Sequence, residues 1–292
     1  MGIFVMRRWL IALFVLAACR PSGRPPVGPS VQDDAGRTVT LAAPARRIVS
    51  LLPSFTELVF AMGAGDRLVG RTAWCDYPPA ALAVPSVGDG MPPNVEAVAA
   101  RRPDLVLLYH SGTNLTAGQQ LAGLGVPVAL LHLDRLEDLG PAARRIGRLT
   151  GRVAQAESLA AAMDSLAAAK PLAPNPQSLV FVVWDNPPIV IGHGSYLDRL
   201  AALAGARNVF ADVAAPSAQV SLETIAARDP DWIAVLSDSS GPPAFAARRE
   251  WRAVRAVREG RFLNLPGSLF GRPGPRSSQA VAELRARLEA AP

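Results

Sequence analysis

Few residues in this 292-residue chain have types and spacings that could do chemistry. Its histidines, His110, His132 and His193, and its cysteines, Cys19 and Cys75, stand too far apart to match the paired spacing of a zinc site. The stretch "GHGS" (Gly192–Ser195) does not place serine between glycines at two-residue intervals, so it is not a nucleophile elbow. "GAGDRLVG" (Gly63–Gly70) lacks the dinucleotide-binding spacing and reads as a helix end and turn. No catalytic residue, metal centre or resident cofactor follows, and an enzyme is not expected. What remains is stacking and axial ligation. Trp74, Tyr109, Trp184 and Phe270 offer flat apolar faces, with Arg272 as a cation near them. His110 or His193 could lend a neutral imidazole to a metal carried by a bound group, whereas His132, at an apolar strand end, reads as structural. Cys75 is a lone thiol. A different kind of feature is a phrase written twice: "NVEAVAARRPD" (Asn94–Asp104) and "SLETIAARDPD" (Ser221–Asp231), each with a glutamate third, Glu96 and Glu223.

These residues sit on a regular alternation of elements. A β-branched run, Ile48–Leu52, precedes a helix that Ser54 or Thr56 can cap and that ends at Gly63 and Gly65. Leu68–Thr72 is a second strand, followed by the loop "AWCDYPP", the helix of the repeated phrase, a strand over Asp104–Tyr109, a helix ending at Gly125 and a strand reaching Leu131. From Leu136 to Lys170 the Ala-rich sequence predicts a short helix and then one long one, with interruptions at Gly140, Pro141 and Gly151. A second series of strands and helices starts at Ser178 and closes with a helix from about Ser277. The predicted fold class is therefore α/β: two lobes with mainly parallel sheets flanked by helices, joined by one long rigid α-helix. The lobes are assigned to residues 37–138 and 173–292, and the linker helix to 139–172. A monomer is expected, with a ligand cleft between the lobes. Trp74, Tyr109, His110, Trp184, Phe270 and Arg272 follow the carboxyl ends of strands, where such a cleft collects its contacts. With aromatics only 6% of the chain, their gathering there points to a flat or bulky apolar ligand.

The amino-terminal stretch differs from the rest. Arg7 and Arg8 precede an apolar run, Trp9–Ala18, too short to span a bilayer comfortably and flanked as an export signal is flanked. It ends "LAAC" (Leu16–Cys19), which resembles the lipobox of bacterial lipoproteins; that resemblance implies a diacylglyceryl group on Cys19, removal of the leader and a membrane anchor. Translation can begin at Met1 or Met6. Residues 20–36 are rich in Pro, Gly and Ser and read as a tether to an exported, lipid-anchored body. With Cys19 acylated only Cys75 is left, so no intramolecular disulfide can form. The formal net charge is +6, yet the arginines are scattered among acids and Lys170 is the only lysine, so no nucleic-acid-binding stripe exists.

"RIVSLLPSFTELVFAMGAGDRLVG", "CDYPP", "NVEAVAARRPDLVLL", "GSYLDRLAALAGARNVF" and "QVSLETIAARDPDWIAVL" together resemble the bacterial periplasmic substrate-binding proteins of the helical-linker class. These serve ABC importers for cobalamin, ferric siderophores and haem, and the resemblance runs from about residue 37 to the end, nearest to the cobalamin-binding members. It implies that Glu96 and Glu223 dock on arginines of a permease dimer, one per lobe. The residues agree, because Asn94 and Ser221 are good N-caps and place each glutamate in a first helical turn, where a carboxylate is favoured. It also implies that Trp74, Tyr109 and Trp184 contact ligand, with Phe270 and Arg272 in the last cleft loop. The bound ligand would be a metal chelate: a corrinoid, or alternatively haem or a ferric siderophore, because Gly88 and Ser217 stand where the cobalamin-binding relatives carry further tryptophans. A stand-alone hydrolase on this scaffold would need a constellation that the sequence lacks.

Overall fold

The computed structural model describes residues 28–171 and 176–290. The expected export signal, Cys19 and the first part of the expected tether lie outside the described residues.

The amino-terminal lobe contains β1 (Ser30–Gln32), β2 (Thr38–Thr40), β3 (Ile48–Ser50), α1 (Pro53–Ala61), β4 (Leu68–Arg71), α2 (Val95–Ala100), β5 (Leu105–Tyr109), α3 (Gly112–Gly123) and β6 (Val128–Leu131). Its sheet has the order β4-β3-β5-β6, with every pair parallel. The β1–β2 hairpin corrects the tether boundary, since residues 30–36 belong to the lobe. Val31 and Val39 are buried, and Asp34 N–H donates to Leu130 O at 2.9 Å while its carboxylate accepts from His132 N at 2.7 Å. The turn residues between the two valines masked this pairing in the sequence. The start of α1 is also corrected: Pro53 is its first residue, Leu52 occupies the cap position, and neither Ser54 nor Thr56 caps it. Thr56 Oγ1 instead donates to Ser50 Oγ at 2.8 Å.

The connection is α4 (Leu136–Thr150) and α5 (Val153–Ala168), and it corrects the single long linker helix. Gly140 and Pro141 are absorbed within α4, while Gly151 terminates it in the left-handed conformation, φ +68°. The two helices run antiparallel. Arg144 bridges Glu157 and Asp164, each at 2.8 Å, and a Cβ at Gly147 would lie 2.1 Å from Ala156 Cβ, so only glycine permits this approach. The link between lobes is a helical hairpin.

The carboxyl-terminal lobe comprises β7 (Gln177–Asp185), β8 (Pro188–Ile191), α6 (Tyr196–Ala204), β9 (Ala206–Asn208), β10 (Ser217–Gln219), α7 (Leu222–Arg228), β11 (Trp232–Leu236), α8 (Arg255–Arg258), β12 (Phe262–Leu265), α9 (Gly267–Phe270) and α10 (Ser277–Ala290). The sheet order is β10-β8-β7-β11-β12, with β9 also paired to β7. β9, β7, β11 and β12 are parallel neighbours, while β8 and β10 add an antiparallel edge.

Side-chain alternation along the strands distributes the core. Ile48, Leu105 and Leu107 from one sheet, and Leu179, Phe181 and Ala234 from the other, share one continuous apolar cluster with Leu139, Ile146, Leu200 and Leu284. The opposite faces pack separately, Val49, Val106 and Leu108 over α2 and α3 residues, and Val180, Ile233 and Val235 around Trp251. The two lobes therefore have a core in common.

Candidate functional site

The loop after β4 is built to present one side chain. The guanidinium of Arg71, buried beneath it, donates to Ala81 O at 2.9 Å, Val84 O at 3.0 Å and Thr72 O at 2.9 Å. Cys75 is fully buried, its Sγ 3.2 Å from Thr72 Oγ1, so the lone thiol is a packed core group. Between these anchors Trp74 stands 62% exposed. On the other lobe Trp184, at the end of β7, is 58% exposed, with its Nε1–H held by Asn186 O at 2.8 Å. Beside it lies a concavity of about 520 Å³ lined by Val182, Leu236, Ser237, Pro243 and Phe245. Each lobe thus leaves one indole largely in water at a strand end.

The same loops tie the lobes together. Asp76, two residues after Trp74, receives both terminal nitrogens of Arg272 from the opposite lobe, one of them at 3.1 Å. Next to it Arg276 forms a bidentate pair with Glu57 of α1, at 2.8 and 2.6 Å, and lies 3.8 Å from the centre of the Tyr77 ring. The Glu57 side chain is only 1% exposed. Burial by itself disfavours the charge of Arg276, but the hydrogen bonds and charge of Glu57 outweigh it and raise the guanidinium's pKa above its usual value. The hydrogen bonds from Arg272 hold the Asp76 carboxyl below its ordinary value.

Tyr109 ends β5, His110 follows it, and both meet residues after β6. Tyr109 donates to Asp134 Oδ1 at 2.5 Å, His132 Nδ1 is 3.1 Å from Asp134 Oδ2, and the rings of His110 and His132 are 4.4 Å apart. Burial, followed by Asp134, pushes the Tyr109 hydroxyl pKa up. His193 is elsewhere, 3.9 Å from Asp198 in a depression of about 500 Å³ lined by Arg135, Arg199 and Arg207. Phe270 is a correction. The single turn α9 drives it into the shared core at 0% exposure, so it offers no stacking surface, and the loop reaches the opposite lobe through Arg272.

Glu96 and Glu223 lie in the first turns of α2 and α7, both exposed. Asn94 Oδ1 accepts from Ala97 N at 2.9 Å and Ser221 Oγ from Thr224 N at 3.2 Å, the two caps expected. A backbone N–H and then the Ser221 hydroxyl lower the pKa of Glu223. Because helices in such units run antiparallel to the strands, both N-termini lie at the same sheet edges as the tryptophan loops.

Sequence reasoning missed Glu57, Asp76, Tyr77 and Arg276. A glutamate between Phe55, Leu58 and Val59 on a buried helix was the available signal, since a charge at such a position must be paired. Among the described residues no group of three or more His, Cys, Asp or Glu side chains is arranged to hold a metal ion.

The family described as periplasmic binding protein matches residues 48–269. A vitamin B12-binding protein of Pectobacterium carotovorum is 30% identical over 260 residues, 87% of this chain and 91% of that protein. An ABC transporter substrate-binding lipoprotein of Bacillus subtilis is 30% identical over 295 residues, 94% of this chain and 93% of that one. Among solved structures, a periplasmic heme-binding protein of Roseiflexus sp. RS-1 superposes with a TM-score of 0.72 at 27% identity, covering 83% of this chain and 97% of that one.

The Asp76–Arg272 bridge has a defined pH signature. Its carboxyl pKa is lower in the folded chain than the ordinary 3.8, so its contribution is complete above that value and is lost as pH falls through the folded one. Urea unfolding of wild type and Asp76→Asn should therefore differ by a constant amount at neutral and mildly acidic pH, with the difference shrinking below about pH 4. A difference unchanged down to about pH 2 contradicts the assignment.

Proposed function

The chain belongs to the periplasmic binding protein family, and we propose that it is the exported, lipid-anchored binding component of an ABC importer that captures a corrinoid between its lobes and delivers it to a permease dimer. The observation that carries this reading is the pair of exposed indoles, Trp74 and Trp184, one on each lobe at the strand ends. Two flat apolar surfaces on opposing walls suit a large planar chelate that is stacked and thereby taken out of water. The similarity to a vitamin B12-binding protein supports the corrinoid assignment.

Capture needs little motion. The lobes are already joined by Glu57–Arg276, Asp76–Arg272 and a shared core, so ligand meets walls whose spacing is largely set. The loaded protein then offers Glu96 and Glu223, one carboxylate per lobe, to complementary arginines on the two permease subunits. Cys19, through its lipid, keeps the protein at the membrane face where that encounter occurs.

Haem is the second reading. The imidazoles of His110 and His132, beside Tyr109 and Asp134, could supply an axial ligand to iron, and the heme-binding neighbour shares the fold. A ferric siderophore would use the same cleft.

Trp184→Ala should weaken binding of cyanocobalamin by about 1–3 kcal/mol, the loss of one stacked apolar surface, as read by calorimetry. Unchanged affinity removes Trp184 from the site. Replacing Glu96 and Glu223 together by alanine should abolish uptake by cells while the dissociation constant stays within a few-fold. A large loss of affinity instead places the two glutamates in the pocket.

A further inference from the structure

The pairing of charges around the cleft discriminates between candidate ligands. A chelate with free carboxylates on its rim is recognised by cations in hydrogen-bond geometry, most effectively by arginine. Lys170 is the only lysine in the chain and lies beyond the end of α5, so arginine would have to provide that recognition. The arginines bonded to residues in and around the two tryptophan loops are already committed. Arg272 is bidentate on Asp76, Arg276 is bidentate on Glu57 above the Tyr77 ring, and Arg248 is paired with Asp185 next to Trp184. Arg71, under the Trp74 loop, is occupied by carbonyl oxygens.

Two acids at the same sheet edges have no such partner. Asp89 lies in the turn held to the Trp74 loop by the bond from Ala73 N to Gly88 O, and Asp238 follows β11. Both are exposed, and neither forms an ion pair among the described residues. Beside the two tryptophan loops the unpaired charges named here are therefore acidic, although the whole chain carries +6. Of the paired groups, Asp76 is the accessible one, with 48% of its side chain exposed against 13% for Arg272.

We propose that Asp76 is a specificity-determining residue: by occupying Arg272 it makes the cleft select chelates whose rim ends in amides or other uncharged groups over those whose rim carries free carboxylates. This rests on the reading of the cleft as a chelate site and deepens it. A rim carboxylate would have to compete with Asp76 for Arg272, whose side chain is 13% exposed, and would face the aspartate as a like charge. A rim amide instead donates its N–H to the exposed oxygen of Asp76 and leaves the bridge intact. Corrinoid side chains, which end largely in amides, meet this requirement, and the two propionates of haem do not.

The test uses the full soluble body, cyanocobalamin, and a matched pair of probes, haemin and haemin dimethyl ester, which share a ring and differ in rim charge. Wild type should bind cyanocobalamin and should bind the ester about tenfold or more tightly than the free acid. Asp76→Asn should release Arg272 and bring that ratio close to unity, and adding Arg272→Gln should restore the preference for the ester. Wild type that prefers haemin, or a ratio unmoved by Asp76→Asn, overturns the inference while leaving the cleft reading standing. Failure of wild type to bind any of the three probes overturns the cleft reading and the inference with it. If Asp76→Asn does not fold, Asp76→Ala takes its place with the same two outcomes: a ratio close to unity supports the proposal, and a ratio unmoved from wild type sinks it.

Discussion

The ion pair between Glu57 and Arg276 is the constraint on which the rest of the molecule depends. Removing a carboxylate and a guanidinium from water costs several kcal/mol each, roughly, and only good geometry offsets it. Here the geometry is bidentate, the Tyr77 ring covers the guanidinium, and the partners come from α1 of one lobe and the segment before α10 of the other. Each charge is neutralised by a partner from the other lobe, so the pair sets how the lobes must sit. A swap for apolar residues could preserve packing without preserving that register.

From this point the cleft follows. Tyr77 is held against Arg276, Asp76 precedes it and is bridged to Arg272, and Trp74 is two residues further back on the same short loop. The position of one exposed indole is thereby referred directly to the opposite lobe. The other, Trp184, ends a strand in the middle of the second sheet and is fixed by its bond to Asn186 O. A binding protein whose walls are set before ligand arrives loses less conformational freedom on binding. That economy, together with the shared core, replaces the role expected of a single stiff helix. The chain between lobes turns back on itself at Gly151, and the rigidity comes from contacts across the lobes as much as from the linker.

Much of this was legible in the residues and some was not, for physical reasons. The alternation of strand and helix patterns, the two N-caps at Asn94 and Ser221, and the burial of Val98 and Ile225 beneath the exposed Glu96 and Glu223 are local signals, and local signals are readable. Trp74 and Trp184 could be assigned to exposed strand ends because the strand pattern that precedes each is local. Phe270 shows the limit of that rule: its position after a strand was right, but one helical turn rotated it into the core. Gly151 could be seen as an interruption, whereas the antiparallel return of α5 depended on the small residues Gly147 and Ala156 meeting face to face. The partner of Glu57 was beyond reach, because 219 positions separate it from Arg276 and no periodicity spans them.

The account stands or falls on whether a metal chelate occupies the space between Trp74 and Trp184. Native mass spectrometry with visible absorption, on protein purified from the cells that produce it and again after addition of cyanocobalamin, tests this most directly. A one-to-one complex whose added mass and colour are those of a metal chelate, released on denaturation, is the predicted result. Protein that runs at its own mass, colourless before and after the addition, would contradict it.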